Sequence, residues 1–226
     1  MGRGQKQKHQ QKIFYTSGYQ PSDAATTSDS SSDPVFFWKE DQEHGYLCQW
    51  YKSAFTDPSN PSTGTFNCAE QWMMYGKAIA FGDQAIAAEI MKCTSPRKQK
   101  VLGQQVPNFN EAKWNEVRDA IVERGNYLKF TQCTDVASMK MDDRGEAKAL
   151  KEMLLATGDR ELVEASPFDK IWGIGFDAER AVTVSRAQWG QNLLGKALMK
   201  VRDTLREELE GTEAAAAEEE PSTTLT

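Results

Sequence analysis

The chain reads as an α+β protein, one compact and mostly helical domain with a small sheet, set between two disordered tails. Three observations predict this. Strand-like aromatic segments come first, a long run of helix signals follows, and short strand candidates return near the end, an order that suits segregated α+β rather than regular α/β alternation. The 226 residues with 39% hydrophobic content are enough for one well-buried core and do not demand two. Both ends lack periodic hydrophobic residues.

Residues 1–33 are rich in Gln, Ser, Thr, Asp and Gly, with a weakly basic start at Arg3, Lys6, Lys8 and Lys12, the composition of a disordered tail. Its serine-rich part is either a site for phosphorylation or a partner, or inert. Val35-Phe36-Phe37-Trp38 and the region around Gln49-Trp50-Tyr51 read as strands, because aromatic residues suit a pleated surface. Asp57 to Gly64 carries Pro58, Asn60 and Pro61 and reads as a turn-rich loop ending just before a helix start at Asn67.

Helix signals then dominate. One helix lies near Asp83 to Cys93. The next is opened by Ser95-Pro96, with serine as cap and proline at the first helical position. Asn110 caps a longer helix whose Trp114, Val117, Ile121, Val122 and Leu128 form an apolar stripe at helical spacing, a core face. Another helix is expected from about Val136 or Gly145 to Thr157, stopped by Gly158. Leu162-Val163-Glu164-Ala165 and Ile171-Trp172-Gly173-Ile174 follow as short strands. The last helix, from about Asn192 to Glu210, carries Leu194, Leu198, Val201, Leu205 and Leu209 on one face and is expected to stop at Gly211. The domain thus spans residues 34–211, and residues 212–226 form a disordered acidic tail.

Composition excludes several functions. A net charge of −6 and an isoelectric point near 5.1 argue against broad electrostatic binding to nucleic acid or anionic membrane, which needs a basic surface. Cys48, Cys68, Cys93 and Cys133 form no CxxC pair, and His9 and His44 are the only histidines, so no structural zinc site is expected. No cofactor and no metal are called for, although a carboxylate-bound magnesium stays open. No apolar run follows Met1, no stretch of eighteen apolar residues occurs, and Asn60-Pro61-Ser62 is a glycosylation sequon blocked by proline. The protein is expected to be cytoplasmic, with a nuclear location open, and its thiols reduced.

The segment Asn67-Cys68-Ala69-Glu70-Gln71-Trp72-Met73-Met74-Tyr75-Gly76-Lys77 carries the chemistry. Glu70 and Lys77 lie seven residues apart, near two helical turns, so both point the same way, with backbones about 10 Å apart at about 1.5 Å per residue. Long side chains there converge on one small ligand, with Trp72 and the two methionines as the wall behind them. The competing reading makes Glu70 part of a capping box with Asn67 and Lys77 a solvated surface residue.

Two other motifs fall short. Gly190-Gln191-Asn192-Leu193-Leu194-Gly195-Lys196-Ala197 resembles a P-loop but has Ala197 where the magnesium-holding hydroxyl belongs. What survives is a glycine-flanked helix start, either favouring a phosphate or ribose oxygen or merely permitting close packing. Gly173-Ile174-Gly175 lacks the third glycine and downstream acid of a dinucleotide fingerprint. Trp172 beside Gly173 offers either an aromatic face for a nucleobase or core filling.

Taken in order, these segments resemble the NADAR domain family, from about Val35 to Leu209. The carrying pieces are Glu70 to Ala78, Leu102-Gly103, Asn108-Phe109 with Trp114, Lys129-Phe130, Thr157-Gly158-Asp159 with Leu162-Val163-Glu164, Asp169 to Gly175, and Asn192 to Met199. That family includes N-glycosidases acting on riboflavin-pathway intermediates and hydrolases acting on ADP-ribosylated guanine. The resemblance implies an α+β fold with Glu70, Lys77 and Asp169 as catalytic candidates. It also implies substrate contacts from Trp172 as the base-stacking residue and from Asn192, and Trp38, Gln49, Trp72 and Gly173 are counted with them. Many members have His where this chain has Gln71, and some have Asp where it has Ile174, so proton transfer at those positions does not carry over.

The expected activity is hydrolysis of an N-glycosidic bond, removing ADP-ribose from a modified nucleobase, guanine first, in nucleic acid or a nucleotide. The runner-up substrate is a ribosylamino-pyrimidine phosphate of flavin synthesis, and the non-enzymatic alternative is an ADP-ribose-binding reader. The expected partner is an ADP-ribose-containing substrate, with ADP-ribosylated DNA or RNA open and no membrane. Glu70 is assigned to the ribose side of the bond, Asp169 to protonation of the base, and Lys77 either to an anchoring cation or to a Schiff-base amine.

Overall fold

The computed structural model describes residues 32–133, 140–141 and 147–219. Its strands are β1 (Val35–Phe37), β2 (Phe55–Thr56), β3 (Thr65–Phe66), β4 (Lys140–Met141), β5 (Ala147–Lys148) and β6 (Leu162–Glu164). Its helices are α1 (Ala69–Ala80), α2 (Gln84–Lys92), α3 (Pro96–Gln104), α4 (Glu111–Gln132), α5 (Leu150–Leu155), α6 (Ala178–Ala181) and α7 (Leu193–Glu219). Three separate two-stranded sheets form, so the class is α+β and mostly helical.

The sheet that organises the molecule is the parallel pair of β1 and β6, with Val35 opposite Leu162, Phe36 opposite Val163 and Phe37 opposite Glu164. Because side chains alternate faces along a strand, Val35, Phe37 and Leu162 point into the main core, while Phe36 and Val163 join Ile174 and Ala181 in a smaller cluster. The register therefore carries Glu164 to the same face as Leu162. A carboxylate is placed where the pattern calls for an apolar side chain.

Helix α1 is the hub, packed on α4, α2 and α3, and α4 packs in turn on α7. Residues that shield the core completely include Leu47, Ile90, Leu154, Leu162, Leu198 and Leu205; burial of each such side chain is worth about 1.5–3 kcal/mol against exposure. Asp83, Ser95 and Asn110 cap α2, α3 and α4 through their side-chain oxygens, accepting from Ile86, Lys98 and Lys113 N–H groups. Gly158 ends the α5 region at a φ of +60°, as a left-handed terminator should.

Several local expectations give way to tertiary context. Gln49-Trp50-Tyr51 is a turn after a 3-10 segment at Gly45–Leu47, not a strand. Ile171 to Ile174 is also irregular; its carbonyls are taken by the segment leading into α7, with Leu193 and Leu194 N–H groups donating to the Ile171 and Trp172 oxygens. The hairpin of β2 and β3 encloses the proline-rich loop, and two-residue strands are too short to leave a period in the sequence. Helix α5 begins only at Leu150, and Val136 and Gly145 lie outside the described residues, as do residues 1–31 and 220–226. Helix α7 runs through Gly211 to Glu219, because the alanines and glutamates after that glycine are strong helix formers that outweigh its cost of about 1 kcal/mol. Leu209, at the end of its expected stripe, is exposed.

Candidate active site

Glu70 faces inward on the buried stripe of α1 with Ala69, Met73, Met74 and Ala78. It does not cap the helix. The N-cap is Cys68, with no side-chain cap bond, and Gln71 instead braces the entry to the helix: its Oε1 accepts from the Asn67 N–H at 2.7 Å and its Nε2 donates to the Ile90 carbonyl at 2.8 Å, tying the start of α1 to the end of α2. Gln71 is thus a structural tie in this chain.

Glu70 is 5% exposed, and its Oε1 is enclosed without a hydrogen-bond partner. Its own N–H donates to the Gln49 carbonyl at 3.0 Å. Burial pushes the carboxyl up to about 7; Lys100 and a hydrogen bond from the Trp50 side chain oppose the rise, and the Asp169 charge adds to it.

Glu164 ends β6 on the core face, and its Oε2 is likewise enclosed and unpartnered. Burial first, then the charges of Asp169 and Glu70, push it up to about 8, with Lys100 opposing. Asp169 has one oxygen committed to its own turn, accepting from the Ile171 N–H at 2.8 Å and the Trp172 N–H at 2.9 Å. Glu70 and Glu164 therefore form one electrostatic group with the Asp169 charge, and Lys100 of α3 is the cation that opposes the rise of both glutamates. Sequence reasoning assigned no role to Glu164. Its signal was a carboxylate ending a buried apolar strand.

The structure brings some expected site residues to this group and sets others apart. Lys77 lies two turns along α1, its ammonium 4.3 Å from the centre of the Phe109 ring and 5.7 Å from that of Trp114. It makes no ion pair among the described residues, and burial alone lowers its pKa. Gln49 belongs to the turn that receives Glu70, with its Nε2 3.8 Å from the Met73 sulfur. Trp72 is turned away, packed with Phe55, Phe66 and Leu128, its indole N–H donating to the Ile121 carbonyl at 2.8 Å. It is a core residue rather than a wall behind Glu70.

Trp172 is half-buried against the main core, with the Arg118 guanidinium 5.9 Å from its ring centre. Gly173 is required by close approach, since a Cβ there would lie 2.7 Å from the Glu164 carbonyl oxygen. Asn192, at a φ of +51°, uses both ends of its amide on β6: Oδ1 accepts from the Glu164 N–H at 3.0 Å, and Nδ2 donates to the Leu162 carbonyl at 2.9 Å. It is a clasp that holds the strand bearing Glu164. The helix start beside it follows the packing alternative. A Cβ at Gly190 or Gly195 would collide with backbone carbonyls, and the Leu193 and Leu194 N–H groups are used by Ile171 and Trp172.

Trp38 and Ala165, the residue after Glu164, line a cavity of about 360 Å³ with Gln42, Asp177 and Glu179, and none of the three acids lines it. Trp38 faces Phe168 with ring centres 6.0 Å apart, and Phe168 itself is 87% exposed. A second cavity, about 540 Å³, lies between α2 and α3 and is rimmed by Lys92, Arg97 and Lys98; it contains none of the three acids. No helix among the described residues is long and apolar enough to cross a membrane.

Over 157 residues the chain is 42% identical to an N-glycosidase of Acanthamoeba polyphaga mimivirus, covering 69% of this chain and 84% of that protein. It is 27% identical over 180 residues to a riboflavin biosynthesis protein of Vibrio vulnificus, covering 80% of this chain and 41% of that protein. Among solved structures it is similar to the NMR structure of the E. coli protein YbiA, with a TM-score of 0.58 and 21% identity across 79% of this chain and 88% of that one, a likeness of fold. A sequence model of the NADAR domain matches residues 36–206, which include every one of the acids described above, and the chain belongs to the NADAR domain family.

Proposed function

We propose that this protein is an N-glycoside hydrolase that removes ADP-ribose from an ADP-ribosylated nucleobase, guanine being the leading choice. The observation that carries this reading is that the carboxyl groups of Glu70 and Glu164 each keep one enclosed oxygen without a hydrogen-bond partner, and both are pushed above the ordinary carboxylate range. A protein gains no stability from such groups, and pKa values set near neutrality are what acid–base chemistry requires. A reader module that only binds ADP-ribose has no use for them. The relatives named N-glycosidases support the reaction class.

Cleavage of the bond builds positive charge on the ribose ring and negative charge on the departing base. Ionised Glu70 stabilises the first and accepts a proton from the attacking water. That water's oxygen bonds to the anomeric carbon as the carbon–nitrogen bond breaks. Protonated Glu164 gives its proton to the base nitrogen. Asp169, the sequence-based candidate for that step, instead raises the affinity of both glutamates for protons while its own Oδ1 serves the Ile171 and Trp172 N–H groups. Trp172 is the surface for the base, and the cavity at Trp38 offers room for the rest of the substrate. Lys77 serves as an anchoring cation; in the alternative covalent route the ribose ring opens, the Lys77 amine bonds to C1 as the C1–base bond breaks and the base leaves with the Glu164 proton, and water then hydrolyses the Schiff base to free the sugar and the amine.

Release of ADP-ribose from an ADP-ribosylated guanine oligonucleotide is the expected result of a direct assay. Cleavage of only a ribosylamino-pyrimidine phosphate would transfer the assignment to flavin-pathway chemistry, for which the Vibrio vulnificus relative's name speaks. Tight ADP-ribose binding without turnover of either compound would make the protein a reader. Borohydride added during turnover labels Lys77 if the covalent route operates; activity without label removes that route.

The pH dependence follows from the same pair. Activity rises as Glu70 loses its proton through about 7 and falls as Glu164 loses its own through about 8, giving a narrow bell centred near 7.5. Both limbs belong to the coupled pair. Glu164→Gln abolishes the alkaline limb and lowers kcat by about 10²- to 10⁴-fold, the range for a lost general acid. An alkaline limb that persists in Glu164→Gln would assign the proton donor elsewhere.

A further inference from the structure

We infer that Lys129 and Asn126, on the buried face of α4, are positioning residues for the Glu70 carboxylate and act through the turn of Cys48, Gln49 and Trp50. This rests on the catalytic reading of Glu70 for its effect on rate, but the structural linkage stands on contacts of its own.

Asn126 and Lys129 extend the buried stripe of α4 from Val122 at spacings of four and three residues, and both are completely shielded from solvent. An apolar residue would satisfy either position as far as the helix pattern goes. Lys129 donates from Nζ to the Cys48 carbonyl at 2.9 Å. Asn126 donates from Nδ2 to the Gln49 Oε1 at 3.2 Å and to the Val122 carbonyl at 2.9 Å. Two consecutive residues of the turn are thereby gripped from α4.

The other side of the same turn meets Glu70. The Gln49 carbonyl accepts the Glu70 N–H at 3.0 Å, and the Trp50 side chain is the group of the turn that favours the ionised form of the Glu70 carboxyl. The turn has no strand ladder to hold it, since residues 49 to 51 are irregular. Besides its own backbone bonds, the Tyr51 N–H to the Cys48 carbonyl at 3.3 Å and the Cys48 N–H to the Gly45 carbonyl at 2.9 Å, it is held to α4 by these side-chain contacts.

The charge on Lys129 also needs a reason. A buried ammonium costs several kcal/mol unless it is compensated, and Lys129 makes no ion pair among the described residues. The groups facing it are the Cys48 carbonyl, the Tyr51 and Phe130 rings at 5.6 and 5.1 Å, and the thiols of Cys48, Cys68 and Cys133. Burial lowers its pKa to about 8. A cost of this kind, directed at one carbonyl of an irregular turn, fits a device that fixes geometry.

The test is the titration of the Glu70 side chain, followed by carbon-13 NMR of glutamate labelled at the carboxyl carbon, in wild type, Trp50→Phe, Lys129→Met and Asn126→Ala. Trp50→Phe removes a hydrogen bond that favours the charged form, so its midpoint rises by about one pH unit. Lys129→Met and Asn126→Ala raise it in the same direction, the double variant Lys129→Met with Trp50→Phe rises no further than Trp50→Phe alone, and Lys129→Arg restores part of the shift. In a turnover assay Lys129→Met loses about tenfold or more in kcat with KM nearly unchanged. Should Lys129→Met fail to fold, Asn126→Ala, a neutral change, reports on the same turn. A Glu70 midpoint unmoved by Lys129→Met or Asn126→Ala, or unmoved by Trp50→Phe, overturns the inference. If instead the midpoints move as described while no glycosidic substrate is cleaved by wild type, the linkage holds and it is the proposed function that fails.

Discussion

Glu70→Gln is expected to lower kcat by about 10³-fold, within the range for removal of a positioned acid–base group, while KM changes little. The glutamine keeps the shape of the side chain and still accepts from Trp50, but it neither takes a proton from water nor carries charge to the ribose. The same change is expected to alter stability in a pH-dependent way. The folded-state value for Glu70 is raised from 4.5 to about 7, so its contribution to stability is fully present below about 4.5 and is lost as pH climbs through 7. Each pH unit of difference corresponds to about 1.4 kcal/mol. Thermal unfolding should therefore place Glu70→Gln above wild type at pH 8.5 by an amount equivalent to a few kcal/mol, with the gap closing toward pH 4. Retention of more than a tenth of wild-type activity would remove Glu70 from the chemistry, whatever the unfolding curves show.

Asn192→Ala is expected to cost about 3–5 kcal/mol in stability. Deleting the amide leaves the Glu164 N–H and the Leu162 carbonyl without their partners, at about 1–3 kcal/mol for each buried group. Alanine also fits poorly at a φ of +51°, adding about 1–2 kcal/mol. Asn192→Gly separates the two effects, because glycine accepts that backbone conformation and loses only the hydrogen bonds. Urea unfolding should rank wild type above Asn192→Gly, with Asn192→Ala lowest. A loss below 1 kcal/mol for Asn192→Ala would show that the clasp is dispensable and return Asn192 to the role of a substrate contact. Activity of the folded fraction should fall as well, since the released N–H is that of Glu164.

These effects show how a catalytic group depends on residues that touch no substrate. Glu164 is half-buried with its Oε2 enclosed because the pairing of β1 with β6 turns it to the face of Leu162, and that strand is held by an amide from the start of α7. Glu70 is buried because it lies on the inward stripe of α1, and it is Gln71, not Glu70, that reaches back to the chain entering the helix. In both cases a carboxylate is trapped by structure formed around it, and its raised proton affinity is the consequence.

What the sequence determined by itself was local. The caps at Ser95 and Asn110, the terminator at Gly158 and most of the stripe of α7 follow from interactions within a few residues, which a linear pattern records directly. The order of the motifs also identified the family. Only the tertiary structure decided that residues 35–37 pair with residues 162–164, that Trp72 packs away from the acids, that Asn192 is a clasp, and that Glu164 joins Glu70. Polar residues such as Asn126 and Lys129 look like solvent-facing positions in a helix read alone. The physical reason is that burial of a polar side chain depends on partners distant in the chain, the Cys48 carbonyl for Lys129 and the Gln49 amide for Asn126, and no periodicity within one segment encodes which segment will come to meet it.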